Sequence, residues 1–139
     1  NTPGIMGAGS AAEILLKKHK DELVSYNSLV KDFEHLLRKS DITYLRESPD
    51  NSCAGVINIS LPEVTDMNGF FSFLYEKNVA LSRFAACDSN VRKPSEILLA
   101  MGRERQRALT SLRISFGRFN KREDIYYFIG VLKEYLKIK

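Results

Sequence analysis

Val56-Ile57-Asn58-Ile59-Ser60-Leu61 alternates in a way that decides the fold class: Ile57, Ile59 and Leu61 share one side of an extended chain, and Val56, Asn58 and Ser60 share the other. Pro62 ends that strand. The same period returns in Ser111–Phe116, where Leu112, Ile114 and Phe116 oppose Ser111, Arg113 and Ser115. Between and around these strands the apolar spacing is helical. Thr65 or Asp66 caps a helix carrying Phe70, Phe71, Phe73 and Leu74, with Asn78 as a left-handed stop. Ile125, Phe128, Ile129, Leu132 and Leu136 keep a helical period after a cap read at Asn120 with Glu123. The order of elements predicts an α+β fold, helices packed on a small, mostly antiparallel sheet.

Upstream, Ser10-Ala-Ala-Glu13 has capping-box spacing, and no Pro or Gly follows before Lys39, so one long helix or two consecutive ones are expected there. Lys17 to Glu22 contains no apolar residue, whereas Leu23, Val30, Phe33, Leu36 and Leu37 form a stripe that can bury against a sheet. A helix solvated in its middle and apolar towards both ends suits a bridge between two bodies, and Pro3-Gly-Ile-Met-Gly-Ala-Gly9 reads as a segment that packs against something else. Short strands are expected at Ile42–Leu45 and through Val79 and Leu81. A helix is expected from Pro94 to Met101, with Gly102 as its stop. From Ser82 to Lys93 no period survives, a long loop for a compact domain and therefore a candidate for function.

The 139 residues suit one domain with one core. Apolar residues at 44% and charged residues at 27% are values of a globular protein and exclude collagen-like, low-complexity and disordered classes. No apolar run approaches the roughly 18 residues of a transmembrane helix, and the first residues lack a signal peptide's order of basic then apolar. The reading is a soluble, unexported chain with reduced thiols. The net charge of +4 raises the question of nucleic acid. Arg103, Arg105 and Arg107, then Arg118, Lys121 and Arg122, sit in no recognisable nucleic-acid module and are read as a solvated basic face.

Two cysteines and two histidines offer no zinc-ligand spacing. Cys87 follows Ser-Arg-Phe-Ala-Ala and has Arg83, Arg92 and Lys93 near in sequence, cations that favour a thiolate, with Asp88 opposing them. It is either a reactive thiol or a small apolar filler. Arg113 on a strand's polar face is either a rigid fork for a carboxylate or phosphate, or half of a structural ion pair. Cys53, His19 and His35 are read as structural or surface residues.

Taken in order, these segments resemble the C-terminal part of the cysteine desulfurases, pyridoxal-phosphate enzymes of the class V aminotransferase group. Ser82-Arg-Phe-Ala-Ala-Cys87-Asp-Ser-Asn-Val-Arg-Lys-Pro94-Ser95 through Gly102 is similar to the family's Ser-Ser-Gly-Ser-Ala-Cys loop, its Glu-Pro-Ser and the helix ending in Leu-Gly. Ser111-Leu-Arg113-Ile-Ser-Phe-Gly117-Arg118-Phe119 is similar to Ser-Ile-Arg-Phe-Ser-Leu-Gly-Arg-Phe. Val56–Leu61 and Pro3–Gly7 match more weakly but in the same order. Arg83-Phe84 stands where the family has Ser-Gly, and Lys93 where it has Glu.

The resemblance implies that Cys87 is the persulfide-forming nucleophile and that Arg113 binds the α-carboxylate of L-cysteine, with L-alanine as co-product. It implies one small C-terminal domain over residues 1–139, with 1–39 as the bridging helix region and 40–139 as the α+β body. The large domain that binds pyridoxal phosphate lies outside this chain, so the chain alone is expected to hold no cofactor and to be inactive. A sulfur-acceptor or iron–sulfur scaffold protein or a tRNA-thiolation relay, a homodimeric parent, and a cytoplasmic or mitochondrial setting belong to the same expectation, with no nucleic acid or membrane as partner. Related readings are a selenocysteine or cystine lyase, a class V aminotransferase, or a catalytically silent domain that docks sulfur acceptors.

Overall fold

The structure is a computed structural model that describes residues 1–82 and 93–138. Helix α1 spans Thr2–Arg38, 37 residues in one piece. It starts earlier than the capping box at Ser10 suggests, because Asn1 Oδ1 accepts the Gly4 N–H at 3.1 Å and Pro3 sits in the first turn, where its missing N–H leaves nothing unpaired. Leu29, Phe33 and Leu37, spaced four apart, bury one face of its C-terminal half. Residues 1–20 are exposed throughout, so roughly 30 Å of helix, at about 1.5 Å per residue, stands clear of the body.

Three strands follow, β1 Leu45–Arg46, β2 Val56–Ser60 and β3 Ser111–Ser115, ordered β1-β2-β3 and antiparallel at both joins. The expected strand at Ile42–Leu45 is corrected: pairing begins only at Leu45. Asp41 takes a left-handed φ of 58° to turn the chain out of α1, which delivers Ile42 into the core ahead of the ladder.

Helix α2, Met67–Glu76, is capped by Asp66, whose carboxylate accepts the Asn68 N–H at 3.1 Å. Asn78 is left-handed, φ 55°, as expected of the stop. No strand follows through Val79 and Leu81, because the Val79 N–H is spent on the Leu74 carbonyl at the end of α2; among the described residues one isolated bridge forms, Ser82 to Arg113.

Helix α3, Glu96–Ala100, is capped by the Ser95 hydroxyl rather than opened by Pro94, which precedes the cap. Gly102, φ 76°, is the stop as expected. A further short helix, α4 Arg105–Leu109, was not anticipated. Helix α5 spans Arg122–Leu136, and its cap is not Asn120 with Glu123: the Asn120 side-chain carbonyl is taken by the Gly117 N–H, and Asp124 accepts the Lys121 N–H at 2.9 Å instead.

Ile57, Ile59, Leu61, Leu112 and Ile114 form the buried face of the sheet, covered by α1, α2 and α5. Phe33 sits at the middle of this layer, its ring 6.0 Å from Phe128 and 6.1 Å from Phe116. Phe70 and Phe73 close on Tyr135 of α5, at 4.9 and 5.3 Å between ring centres. Each fully buried side chain among these, such as Ile57, Leu112, Phe33 and Phe70, stabilises the fold by about 1.5–3 kcal/mol, which holds three short strands against the helices. α4 crosses one end of the opposite face, where the Ser60 hydroxyl meets the Arg107 carbonyl at 2.9 Å.

Candidate functional site

Arg113 is the third residue of β3, so the alternation that buries Leu112 and Ile114 turns its side chain to the polar face, where it is exposed. Its neighbours across the sheet are fixed by register. Asn58 of β2 lies directly opposite, and on the other side the Arg113 N–H donates to the Ser82 carbonyl at 3.2 Å. Among the described residues no carboxylate pairs with its guanidinium.

Cys87 lies outside the described residues, as does the rest of 83–92. The described residues flanking that segment are nonetheless tied to the strand that carries Arg113 or to the helix leading into it. Ser82 bridges Arg113 itself, and the Ser95 N–H donates to the Ala108 carbonyl of α4 at 3.2 Å, one turn before β3 begins. Residues 82 and 113, thirty-one apart in sequence, are thereby made adjacent.

Arg105, Arg118, Lys121 and Arg122 are exposed, as a solvated face requires, but Arg103 and Arg107 are half-buried, and there the sequence reading is corrected. Arg107 donates Nε–H and Nη2–H to the two carboxylate oxygens of Glu47, at 2.9 Å each, and Arg103 approaches the same carboxylate at 3.1 Å. That carboxylate is completely buried and also accepts the Ser60 hydroxyl at 2.8 Å. Arg118 pairs with Glu22 at 2.9 Å and Arg122 with Asp32 at 3.5 Å, fastening α1 to the turn before α5 and to α5 itself. Most of the arginines grouped together in the sequence are therefore structural clamps, and Arg113, set apart from them, has no carboxylate partner among the described residues. Cys53, His19 and His35 are exposed, as read.

Lys31, Asp32, His35, Arg38 and Arg122 line an open polar groove of about 550 Å³ between α1 and α5. A pyridoxal-phosphate ring needs a sheltered lysine, an apolar or aromatic wall and a carboxylate for its ring nitrogen. The groove supplies no such wall, Asp32 is engaged by Arg122, and Lys77, a partly covered lysine elsewhere, is spent on Glu134 at 2.6 Å. The described residues do not fit that cofactor. They also hold no cluster of His, Cys, Asp and Glu suited to a metal, and no described helix is long and apolar enough to cross a membrane.

The site thus rests on a three-stranded antiparallel sheet with helices on its apolar face and Arg113 on its polar face. The aminotransferase class-V profile matches residues 1–128, and the chain belongs to that family. Among relatives, it is 33% identical over 135 residues to the cysteine desulfurase IscS of Anaeromyxobacter sp. (strain K), spanning 96% of this chain and 33% of the relative. It is 31% identical over 124 residues to the mitosomal cysteine desulfurase of Encephalitozoon cuniculi, spanning 89% of this chain and 28% of that protein. The NifS-like protein of Rickettsia africae superposes with a TM-score of 0.79 at 23% identity, over 96% of this chain and 34% of its own, which establishes the shared fold. The chain thus spans about a third of the length of the curated relatives it matches.

Proposed function

We propose that this chain is the small C-terminal domain of a cysteine desulfurase, with residues 1–39 as the helix that bridges to a cofactor-binding domain outside the chain and 40–139 as the α+β body. Pyridoxal phosphate belongs to that other domain and supplies the electron sink for cleaving the carbon–sulfur bond of L-cysteine. Arg113 holds the substrate α-carboxylate through parallel N–H donors. Cys87 receives the sulfur as a persulfide, leaving L-alanine, and passes it to an acceptor for iron–sulfur cluster assembly or tRNA thiolation. The observation that carries the reading is Arg113: an exposed guanidinium without a described carboxylate partner, paired through its backbone with the residue that leads into the Cys87 segment. The parent is a homodimer, and its setting is cytoplasmic or mitochondrial, in keeping with the mitochondrial name of the relative from Saccharomyces cerevisiae and the bacterial sources of others.

The test is Cys87→Ser in the full-length enzyme, with alanine release and protein persulfide followed from L-cysteine. Loss of both is expected; undiminished turnover on L-cysteine would favour a lyase or an aminotransferase that uses Arg113 but not Cys87. The chain alone, given pyridoxal phosphate, is expected to develop no visible band of a lysine-bound cofactor and to release no sulfide.

A further inference from the structure

The polar face of the sheet contains two buried acceptors that nothing among the described residues satisfies. Asn58 Oδ1 and Ser111 Oγ are both buried and have no hydrogen-bond partner among the described residues. Ser111 is fully buried. Its cross-strand neighbour Ser60 gives it nothing, because the Ser60 hydroxyl is directed at the Glu47 carboxylate and the Arg107 carbonyl, at 2.8 and 2.9 Å. Orphaned buried oxygens cost stability, and native folds keep few of them without a reason.

Both flank Arg113. Asn58 is its directly opposed partner in the ladder, and Ser111 stands two residues back on the same face of the same strand. Arg113 is the complementary case, a side chain with five N–H donors and no described carboxylate to receive them. Among the described residues, two acceptors without donors thus adjoin one donor fork without acceptors. The arginine stem is long enough to lay its guanidinium back over an opposed residue and an i−2 neighbour.

From this geometry we infer that Asn58 and Ser111 are positioning residues for Arg113: when substrate is bound, the guanidinium lies down on the sheet and donates to Asn58 Oδ1 and Ser111 Oγ. The two outward N–H groups are then left parallel for the substrate carboxylate. The exposed setting of Arg113 is the open state. Docking orients the fork before the carboxylate arrives, so less side-chain freedom is lost on binding. The inference rests on the carboxylate role proposed above for Arg113 and adds the residues that aim it.

The experiment measures steady-state kinetics with L-cysteine in the full-length enzyme for Asn58→Leu, Ser111→Ala and Arg113→Lys, with thermal midpoints alongside. Asn58→Leu and Ser111→Ala remove an acceptor with little change of volume. Each is expected to raise KM about tenfold with kcat within about twofold, while the thermal midpoint stays level or rises, because an orphaned polar atom has gone. A merely structural role predicts the reverse, a lowered midpoint with KM intact. Unchanged KM in both variants, or kcat falling in step with stability, overturns the inference. Arg113→Lys separates this from the parent reading: if it leaves KM unchanged, the carboxylate role fails. If it raises KM while the two neighbours do not, only the positioning fails.

Discussion

Arg107 and Glu47, sixty residues apart in sequence, meet in a two-pronged ion pair with both N–H···O distances at 2.9 Å and the carboxylate wholly out of water. The pair joins α4 to the chain just beyond β1, and Ser60 and Arg103 complete the shell around it. Taking one partner away strands charge in a low-dielectric site. Glu47→Gln is expected to destabilise the domain by about 3–5 kcal/mol, and Arg107→Lys, which keeps the charge but loses the fork, by less. Urea unfolding of the two variants checks the order; equal losses would mean that the charge retained by lysine contributes nothing without the fork geometry.

Asp124 supplies an acid-side dependence. The Lys121 backbone N–H, and secondarily the Asn120 side-chain amide, hold its carboxyl below the ordinary aspartate value. A depressed folded value means that the contribution is complete above the unfolded value and is lost as pH falls through the folded one. Below about pH 4 the wild-type thermal midpoint should therefore fall more steeply than that of Asp124→Asn. Parallel curves in that range would show that the cap is not coupled to folding.

The two halves of α1 should separate in amide exchange. Phe33 and Leu37 are fully buried, whereas Leu16 is 86% exposed. Gly4, Gly7 and Gly9 each weaken an unsupported helix by about 1 kcal/mol relative to alanine. In the chain alone, amides of residues 5–20 are expected to exchange quickly and those of 29–37 with near-global protection. Phe33→Ala should cost about 3–5 kcal/mol and Leu16→Ala under about 0.5 kcal/mol. Strong protection across 5–20 would show that the projecting turns are covered in solution.

Gly55 and Gly102 share a φ of 76° but not their surroundings. A Cβ on Gly55 would stand 2.9 Å from Tyr26 Cβ and 3.0 Å from the Phe116 carbonyl oxygen, whereas Gly102 faces open space. Gly102→Ala should cost about 1 kcal/mol, the left-handed backbone alone, and Gly55→Ala about 2 kcal/mol or more. The difference in urea midpoint reads it directly, and a Gly102→Ala loss as large as that of Gly55→Ala would refute the steric account.

What could be read without coordinates was whatever repeats within a few residues. Alternation in Val56–Leu61 and Ser111–Phe116 named both principal strands and put Arg113 on the polar face, because side-chain direction along a strand is a local property. Asp66 and Asn78 were legible for the same reason, as a cap and a left-handed stop act on adjacent backbone. The elements misjudged were those where a backbone group had two possible partners: Ser10 yielded to Asn1, Asn120 to Asp124, and the Val79 N–H went to a helix end rather than a sheet.

The sequence by itself determined the α+β class, the apolar face of the sheet and the family to which the chain belongs. Tertiary structure alone decided which arginines are clamps and which has no carboxylate partner among the described residues. Arg103, Arg107 and Arg113 look alike in a list of charges, and only the packing that buries Glu47 beside the first two, and sets Asn58 and Ser111 beside the third, tells them apart. Charge has no period along a chain; its meaning depends on what the fold brings within about 4 Å of it and on how much water is left between.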